Sequence, residues 1–285
     1  MYILIILQQL IASTTHIVAK DITGVIEPKL ILLIRSSIAA LMFILWILFK
    51  EGKFFKIEKK DWLQFIILGA LNVPVNQLLF FLGIHLTTAP NVALAYALSP
   101  AFVALTVFIM TKQNISKLKI LGLTTAFLGT LLVLFEKGFS LDSKYFSGNI
   151  LAILASIAWA LYTVMGQKFS IKYGAIYTIG WTMILGFILY LPIFFIFGSL
   201  DGISSITSLQ MSEIAYLGIF TSGIAYILWY YALKKIDAGK VAVFSNLQPV
   251  LTTLMAIFIF GFNITMFFIV GGVLIIFGVI LTQKG

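Results

Sequence analysis

Ten runs of about twenty predominantly apolar residues fill the chain, and short polar segments separate them. A helix of about 20 apolar residues crosses a bilayer core roughly 30 Å thick. Only 10% of the residues are charged, against roughly 25% in soluble globular proteins. The sequence therefore predicts an all-α polytopic membrane protein with ten transmembrane helices. Their approximate positions are 2–20, 29–49, 62–85, 88–111, 118–136, 147–168, 174–198, 210–234, 238–260 and 264–283.

The second half of the chain repeats the first at an offset of 149 residues. The matching pairs include Leu98/Leu247, Pro100/Pro249, Gly122/Gly271 and Gly129/Gly278. Each copy contains five spans. Because five is odd, the second copy would enter the membrane from the side opposite to the first. We predict two inverted five-helix repeats, residues 1–140 and 141–285, that form one transport domain. Inverted repeats are common in secondary transporters, where the substrate site lies near the midplane between them.

The distribution of lysine predicts the orientation. If the N-terminus lies inside, fourteen lysines fall on the cytoplasmic side and four fall outside, as the positive-inside rule requires. We expect a multi-pass protein of the bacterial plasma (inner) membrane with both termini in the cytoplasm. The first residues lack the basic region and cleavage site of a secretory signal, so the first run is expected to remain as a helix.

Pro74, Pro100 and Pro249 each lie inside an apolar run. A proline inside a helix removes a hydrogen bond, and membrane helices tolerate it where neighbouring helices, hydroxyl groups or water satisfy the freed backbone groups. Prolines are frequent in membrane helices, so a single one could serve packing alone. The equivalent positions of Pro100 and Pro249 favour a cavity at mid-depth, with the three prolines as gating or hinge positions.

Polar and aromatic residues inside the spans are the candidates for a substrate site, since such residues usually face the interior of a helix bundle. We predict as substrate-binding residues Thr14, His16, Asn76, Gln77, Tyr96, Ser99, Trp159, Tyr162, Trp181, Tyr226, Trp229, Asn246 and Gln248. Amides could instead join helices, and Trp or Tyr could belong to an interfacial belt. Thr15, Thr221 and Ser222 are polar residues of the same kind, although any single serine or threonine is expected mainly to bond the backbone of its own helix.

Arg35 is the one charged residue well inside a predicted span. One interpretation is structural: Arg35 extends toward the outer interface, or pairs with Asp21 or Glu27 at the outer end of the first two helices. The other is functional, with Arg35 and Lys20 attracting a carboxylate or phosphate at the outer mouth.

The sequence resembles the EamA-type branch of the drug/metabolite transporter superfamily over its whole length. The segment around Lys20, Pro28 and Arg35 is similar to the family's Lys, Pro and helix-2 Arg, and Ser156 to Lys168 contains a similar Trp-Ala-Leu-Tyr segment. The first helix departs from the pattern, with "IASTTHI" where members often have Trp-Gly. The resemblance implies secondary transport of metabolites such as amino acids, nucleotide-derived compounds, sugars or drugs.

Several activities are disfavoured by what the sequence lacks. All ten acidic residues lie in loops or at span ends, whereas a proton antiporter of cationic drugs normally needs a carboxylate within the membrane. There is no cysteine, there are two histidines, and no Walker A motif occurs. We therefore expect no enzyme activity, cofactor, metal or ATP-driven pumping, although His16 leaves proton coupling open.

The sequence thus predicts a facilitator or exchanger that moves a small polar metabolite, either an amino acid or a nucleotide-derived compound, by alternating access. The alternatives are a lipid or isoprenoid carrier and a membrane protein without transport activity. The expected partners are the substrate and the bilayer. No nucleic acid is expected, because the basic residues lie between apolar runs rather than on one face. A monomer suffices, since two repeats can form the cavity within one chain.

Overall fold

A computed structural model describes residues 2–51, 57–111, 116–134 and 144–284. Within these ranges the secondary structure is entirely helical, and ten helical runs follow one another. They are α1 Tyr2–Ile22, α2 Pro28–Glu51, α3 Lys59–Leu86, α4 Ala89–Ala97 with Ser99–Thr111, α5 Lys117–Leu134, α6 Lys144–Tyr173, α7 Ala175–Phe197, α8 Ser208–Leu233, α9 Ala238–Phe260 and α10 Met266–Lys284.

Eight of the described helices, all except α5 and α10, are long and apolar enough to cross a membrane. Large apolar side chains cover the outer surface: Ile3 is 79% exposed and Phe258 is 85% exposed. Such a surface suits lipid rather than water. The prediction of an all-helical, multi-pass membrane protein is confirmed. The boundary predicted at residue 140 and four of the lysines used for orientation, Lys53, Lys56, Lys112 and Lys137, lie outside the described residues.

The helices that carry Pro100 and Pro249 change their backbone geometry immediately before the proline. Helix α4 breaks at Leu98 and resumes at Ser99, so Pro100 occupies the first turn of a new segment. In α9 a 3₁₀ turn, Val243–Asn246, precedes an α-helical segment in which Pro249 again lies in the first turn. The first turn of a helix tolerates proline because its N–H groups have no helical partner.

Helices α3 and α8 each contain a π-helical segment near the middle, Leu71–Gln77 and Leu217–Ile224. Pro74 lies inside the first of them. In a π-helix the hydrogen bonds span five residues, and such segments are rare and frequent at functional sites. In both segments a π-helix replaces the regular α-helix within a membrane-spanning run.

Helices α5 and α10 pack closely because glycines face each other. A Cβ atom added to Gly122 would lie 2.6 Å from the carbonyl oxygen of Gly278, and one added to Gly129 would lie 2.6 Å from that of Gly271. Small residues permit such close approach in membranes, where dispersion contacts rather than the hydrophobic effect hold helices together. These glycines explain why α5 and α10 form one tightly packed pair.

Candidate functional site

A cavity of about 70 Å³ lies near the middle of the helix bundle. Its lining residues come from α1, α2, α3, α4, α6, α8 and α9, and they are Gln8, Ala12, Thr15, His16, Arg35, Asn76, Gln77, Phe80, Tyr96, Trp159, Thr221, Ala225, Tyr226 and Gln248. With a rise of 1.5 Å per residue, Arg35 lies about 10 Å along α2 from Pro28. The cavity is therefore well inside the bundle and not at its outer rim.

Arg35 is buried in the wall of this cavity and is only 3% exposed. Its Nε donates to Ser222 Oγ at 2.7 Å and its Nη2 donates to Thr221 Oγ1 at 2.9 Å. The guanidinium carbon lies 5.2 Å from the centre of the Phe81 ring, a cation–π distance. All of these partners are neutral. Among the described residues, Arg35 forms no ion pair with Asp21 or with Glu27. Glu27 pairs with Lys29 instead, at 2.5 Å.

Asn76 joins three helices at one side of the cavity. Its Nδ2 donates to the hydroxyl of Tyr96 on α4 at 2.7 Å and to the carbonyl of Ala155 on α6 at 2.7 Å. Asn76 follows Pro74 in the π-helical segment of α3. Because an amide can donate two hydrogen bonds at once, one side chain fixes the position of the Tyr96 ring against the cavity.

His16 and Gln248 connect α1 to α9. His16 Nε2 lies 3.1 Å from Gln248 Oε1, and Gln248 Nε2 donates to Gln9 Oε1 at 2.7 Å. Within the described ranges, His16 Nδ1 is buried without a hydrogen-bond partner. Gln248 directly precedes Pro249, so the cavity contact lies at the start of the second segment of α9.

Aromatic rings cover much of the remaining wall. The ring centres of Trp159 and Tyr226 are 5.1 Å apart at an angle of 75°. On the other side, Phe80 and Tyr96 are 5.9 Å apart at 86°, and His16 packs against both at 5.4 and 5.7 Å. Edge-to-face pairs of this kind are favourable arrangements. They give the cavity flat apolar surfaces beside the amides.

Seven of the thirteen predicted substrate-binding residues line the cavity, together with Arg35. These seven are His16, Asn76, Gln77, Tyr96, Trp159, Tyr226 and Gln248. The other six do not line it, and they are Thr14, Ser99, Tyr162, Trp181, Trp229 and Asn246. The hinge candidates Pro74, Pro100 and Pro249 are not part of the lining, although Pro74 is two residues from Asn76 and Pro249 directly follows Gln248.

Contacts between helices account for several of the residues that do not line the cavity. The hydroxyl of Thr14 lies 2.6 Å from that of Tyr216, beside a separate apolar groove. Ser99 Oγ lies 3.0 Å from Ser156 Oγ, which joins α4 to α6. The indole nitrogen of Trp229 donates to Thr163 at 3.2 Å. In these positions polar atoms act as interhelical contacts.

Lys20 also has a structural contact. Its Nζ donates to the carbonyl oxygens of Ile84 and His85 at 3.1 and 3.3 Å. These residues form the last turn of α3, where free carbonyl groups and the helix dipole favour a positive charge. Lys20 therefore caps the C-terminal end of α3. It is not one of the residues that line the cavity with Arg35.

Six lining residues were not among the predicted site residues, namely Gln8, Ala12, Thr15, Phe80, Thr221 and Ala225. Gln8, Ala12 and Thr15 precede His16 at spacings that place all four on one helix face, a signal that could have identified Gln8. The expectation that Thr221 bonds mainly within its own helix was incomplete. It donates to Leu217 O at 2.6 Å and also accepts from Arg35.

The lining combines polar and aromatic side chains. It contains amides, hydroxyls, aromatic rings, one imidazole and one guanidinium, and no Asp or Glu. Within the described residues no group of three or more His, Asp or Glu is placed to hold a metal ion. A concave pocket with mostly apolar walls and a few convergent polar groups is the usual form of a small-molecule site.

Comparison with known proteins identifies the family of the chain. The EamA-like transporter family matches residues 1–135 and 146–283. An uncharacterized transporter of Bacillus subtilis strain 168, YyaM, is 30% identical over 100% of this chain and 93% of its own length. An uncharacterized transporter of Archaeoglobus fulgidus is 29% identical over 99% of this chain and 96% of its own length.

One solved crystal structure has the same fold, with a TM-score of 0.71 and 19% sequence identity. The matched region covers 99% of this chain and 96% of the chain in that structure. The sequence relatives extend across both halves of the protein, so the similarity is not confined to one motif. The chain belongs to the EamA-like transporter family.

Proposed function

We propose that the protein is a secondary transporter that carries a small polar metabolite, such as an amino acid or a nucleotide-derived compound, by alternating access as a facilitator or exchanger. The observation that carries this proposal is the cavity, which both halves of the chain build. Arg35 and Asn76 come from the first half, and Trp159, Tyr226 and Gln248 come from the second. A site shared between two halves can open to one side when the halves rock against each other.

The backbone irregularities support two inverted five-helix repeats, residues 1–140 and 141–285. The break at Leu98 and the start of the last α9 segment at Leu247 are separated by 149 residues. The π-helical segments Leu71–Gln77 and Leu217–Ile224 overlap when the same offset is applied. We propose that Pro74, Pro100 and Pro249 mark the flexible points of the two repeats.

The glycine contacts between α5 and α10 also support an internal two-fold relation. The offset relates Gly122 to Gly271 and Gly129 to Gly278. In the structure Gly122 contacts Gly278, and Gly129 contacts Gly271. Such an exchange of partners is the pattern of a two-fold interface, where residue i contacts j and the equivalent of j contacts the equivalent of i.

We further propose that the protein lies in the bacterial inner membrane with both termini in the cytoplasm, as the lysine distribution indicates. The orientation can be tested separately from transport. Cysteines introduced singly at Lys60 and Ser204 should react with membrane-impermeant maleimide on opposite sides of the membrane, because the chain contains no native cysteine.

The transport proposal can be tested with proteoliposomes that contain a pool of unlabelled amino acids, nucleosides and monocarboxylates, to which the labelled compounds are added outside. We expect at least one compound to accumulate by counterflow. Ala12→Phe fills the cavity and should reduce this uptake to the level of protein-free liposomes. Leu7→Phe, at a position that is 45% exposed on the same helix, should leave it unchanged.

Absence of counterflow for every compound in a correctly folded protein would contradict metabolite transport. Transbilayer movement of a labelled lipid, blocked by Ala12→Phe, would instead favour the lipid or isoprenoid carrier. Equal counterflow in wild type and Ala12→Phe would show that the cavity is not the pathway.

A further inference from the structure

We propose that the cargo of the cavity is an organic monoanion, whose carboxylate pairs with Arg35 and whose apolar part lies against the aromatic wall. This proposal rests on the proposed transport function and narrows its cargo, because it favours monocarboxylates over zwitterionic amino acids and phosphorylated compounds.

The charge of Arg35 is not balanced by the protein within the described residues. Its partners are the hydroxyls of Thr221 and Ser222 and the face of Phe81. In the described part of the chain the acidic side chains that form ion pairs are Glu27, Glu58 and Asp61, and each of them pairs with a lysine outside the cavity. An ion inside a membrane protein is costly and is normally paired or functional. An anionic ligand would supply the missing partner.

The two hydroxyls fix the guanidinium and leave part of it available. Nε and one hydrogen of Nη2 are used on the edge that faces Ser222 and Thr221. Guanidinium has five N–H donors in a rigid plane, so the edge formed by Nη1 and the second hydrogen of Nη2 retains its donors. Two parallel donors on one edge match the two oxygens of a carboxylate.

The neighbouring walls favour an apolar or ring-containing body on this anion. Phe80, Tyr96, Trp159 and Tyr226 line the same cavity as Arg35. Flat aromatic walls bury rings and hydrocarbon chains with defined geometry. Asn76, which is held by Tyr96 and Ala155, fixes one of these walls.

The composition of the lining disfavours cations and zwitterions. None of the lining residues is Asp or Glu, so an ammonium group would meet no carboxylate and would share the cavity with Arg35. Arg35 is the one lining residue whose positive charge is permanent, and this single charge matches one negative charge. A monocarboxylate fits this balance better than a phosphate dianion, which is usually held by several cationic groups.

The first test uses the wild-type protein and three matched probes: 3-phenylpropionate, its amide 3-phenylpropionamide and the amine 3-phenylpropylamine. Binding to the purified protein is measured in detergent by microscale thermophoresis. We expect the acid to bind at least about tenfold more tightly than the amide, which corresponds to one charge-assisted hydrogen-bond pair, and the amine to bind more weakly still. Equal binding of acid and amide, or no binding of the acid, would overturn the proposal.

Substitutions of Arg35 then test whether its charge is responsible for the preference for the acid. Arg35→Gln should weaken binding of the acid to the level of the amide and leave binding of the amide unchanged, whereas Arg35→Lys should retain a preference for the acid. The matched control is Lys29→Gln, which removes a positive charge on the same helix outside the cavity. Unchanged discrimination in Arg35→Gln would contradict the assignment, and the wild-type comparison of acid and amide stands even if this variant does not fold.

Flux distinguishes this proposal from the transport proposal. Exchange of labelled 3-phenylpropionate is measured in proteoliposomes at neutral pH, with leakage through protein-free liposomes subtracted. Acid-selective binding without exchange would support the anion site and contradict transport of this anion. Exchange of neutral or cationic compounds without preference for the acid would support transport and overturn the anion site.

Discussion

The charged cluster at the start of α3 and the single arginine in the cavity differ in how their charges are balanced. Where α3 begins and α6 ends, Lys172 Nζ lies 2.6 Å from Asp61 Oδ2 and 2.8 Å from Glu58 Oε1. The hydroxyl of Tyr173 also donates to Asp61, at 2.6 Å. In the cavity, Arg35 has only neutral partners. The charges of the cluster are balanced within the protein and join two helices, whereas Arg35 has no charged partner among the described residues, and we propose that a ligand supplies one.

This difference shows that the same residue types can have different roles depending on their environment. Glu58 and Lys60 are largely exposed, and exposed ion pairs contribute little to stability because water and salt weaken them. The cost of leaving Arg35 unpaired is larger because it is buried. A charge that is retained despite this cost is better explained by binding than by stability.

The largest expected effect comes from removing the cavity charge. We predict that Arg35→Gln lowers the rate of carrier-mediated uptake of a monocarboxylate about 10- to 100-fold, the equivalent of a lost charge-assisted hydrogen-bond pair. Its thermal unfolding temperature should not fall below that of wild type by more than a few degrees, because no protein ion pair is broken. A large loss of thermal stability with normal uptake would show that Arg35 serves stability and not binding.

The hydroxyls that hold Arg35 should have a smaller effect. We predict that Thr221→Val raises the KM for uptake about threefold to tenfold, because one hydrogen bond to the guanidinium is lost while the shape of the side chain is kept. The control is Thr178→Val on α7, whose hydroxyl bonds the carbonyl of Gly174 at 2.8 Å and does not line the cavity. Equal effects of both substitutions would contradict an orienting role for Thr221.

Changing the paired cluster should affect stability and not the selectivity for anions. We predict that Asp61→Asn lowers the thermal unfolding temperature by a few degrees, since Lys172 and Tyr173 both lose a charged acceptor, and leaves the acid-to-amide ratio in binding unchanged. Differential scanning fluorimetry and the binding assay measure the two quantities on one preparation. A changed ratio would show that this cluster and the cavity are coupled.

The smallest effect concerns pH. Hydrogen bonds from Lys172 and Lys60 hold the pKa of the Glu58 carboxyl below its ordinary value. A carboxyl whose pKa is lower in the folded state stabilises that state above its ordinary pKa, and this contribution is lost as the pH falls through the folded-state pKa. We predict a slightly steeper fall in unfolding temperature below about pH 4.5 in wild type than in Glu58→Gln. Identical profiles would mean that the contact contributes no stability.

The helices could be predicted from the sequence because apolar runs determine which segments enter the membrane. Their ends were less exact: α6 extends from Lys144 to Tyr173, beyond the predicted span 147–168. The polar ends carry Lys144 and Lys172, which hydropathy alone assigns to loops. Lys172 is held at the end of α6 by a contact with α3, which a scan for apolar runs cannot detect.

The site was only partly predictable because hydropathy gives the depth of a residue and not the direction in which it points. Trp159 and Trp229 are equally suitable by sequence, but only Trp159 lines the cavity, while Trp229 bonds Thr163. The sequence also suggested nearby acidic partners for Arg35. Its real partners, Thr221 and Ser222, lie 186 and 187 residues away along the chain, and they became recognisable only after the packing of α2 against α8 was known.

The most direct measurement is a crystal structure of the protein with 3-(4-bromophenyl)propionate, in which anomalous scattering from bromine locates the ring. We predict that the carboxylate lies within hydrogen-bonding distance of Arg35 and that the bromine lies beside the aromatic wall formed by Phe80, Tyr96, Trp159 and Tyr226. A ligand bound elsewhere, or an Arg35 that pairs with a carboxylate of the protein itself, would contradict it.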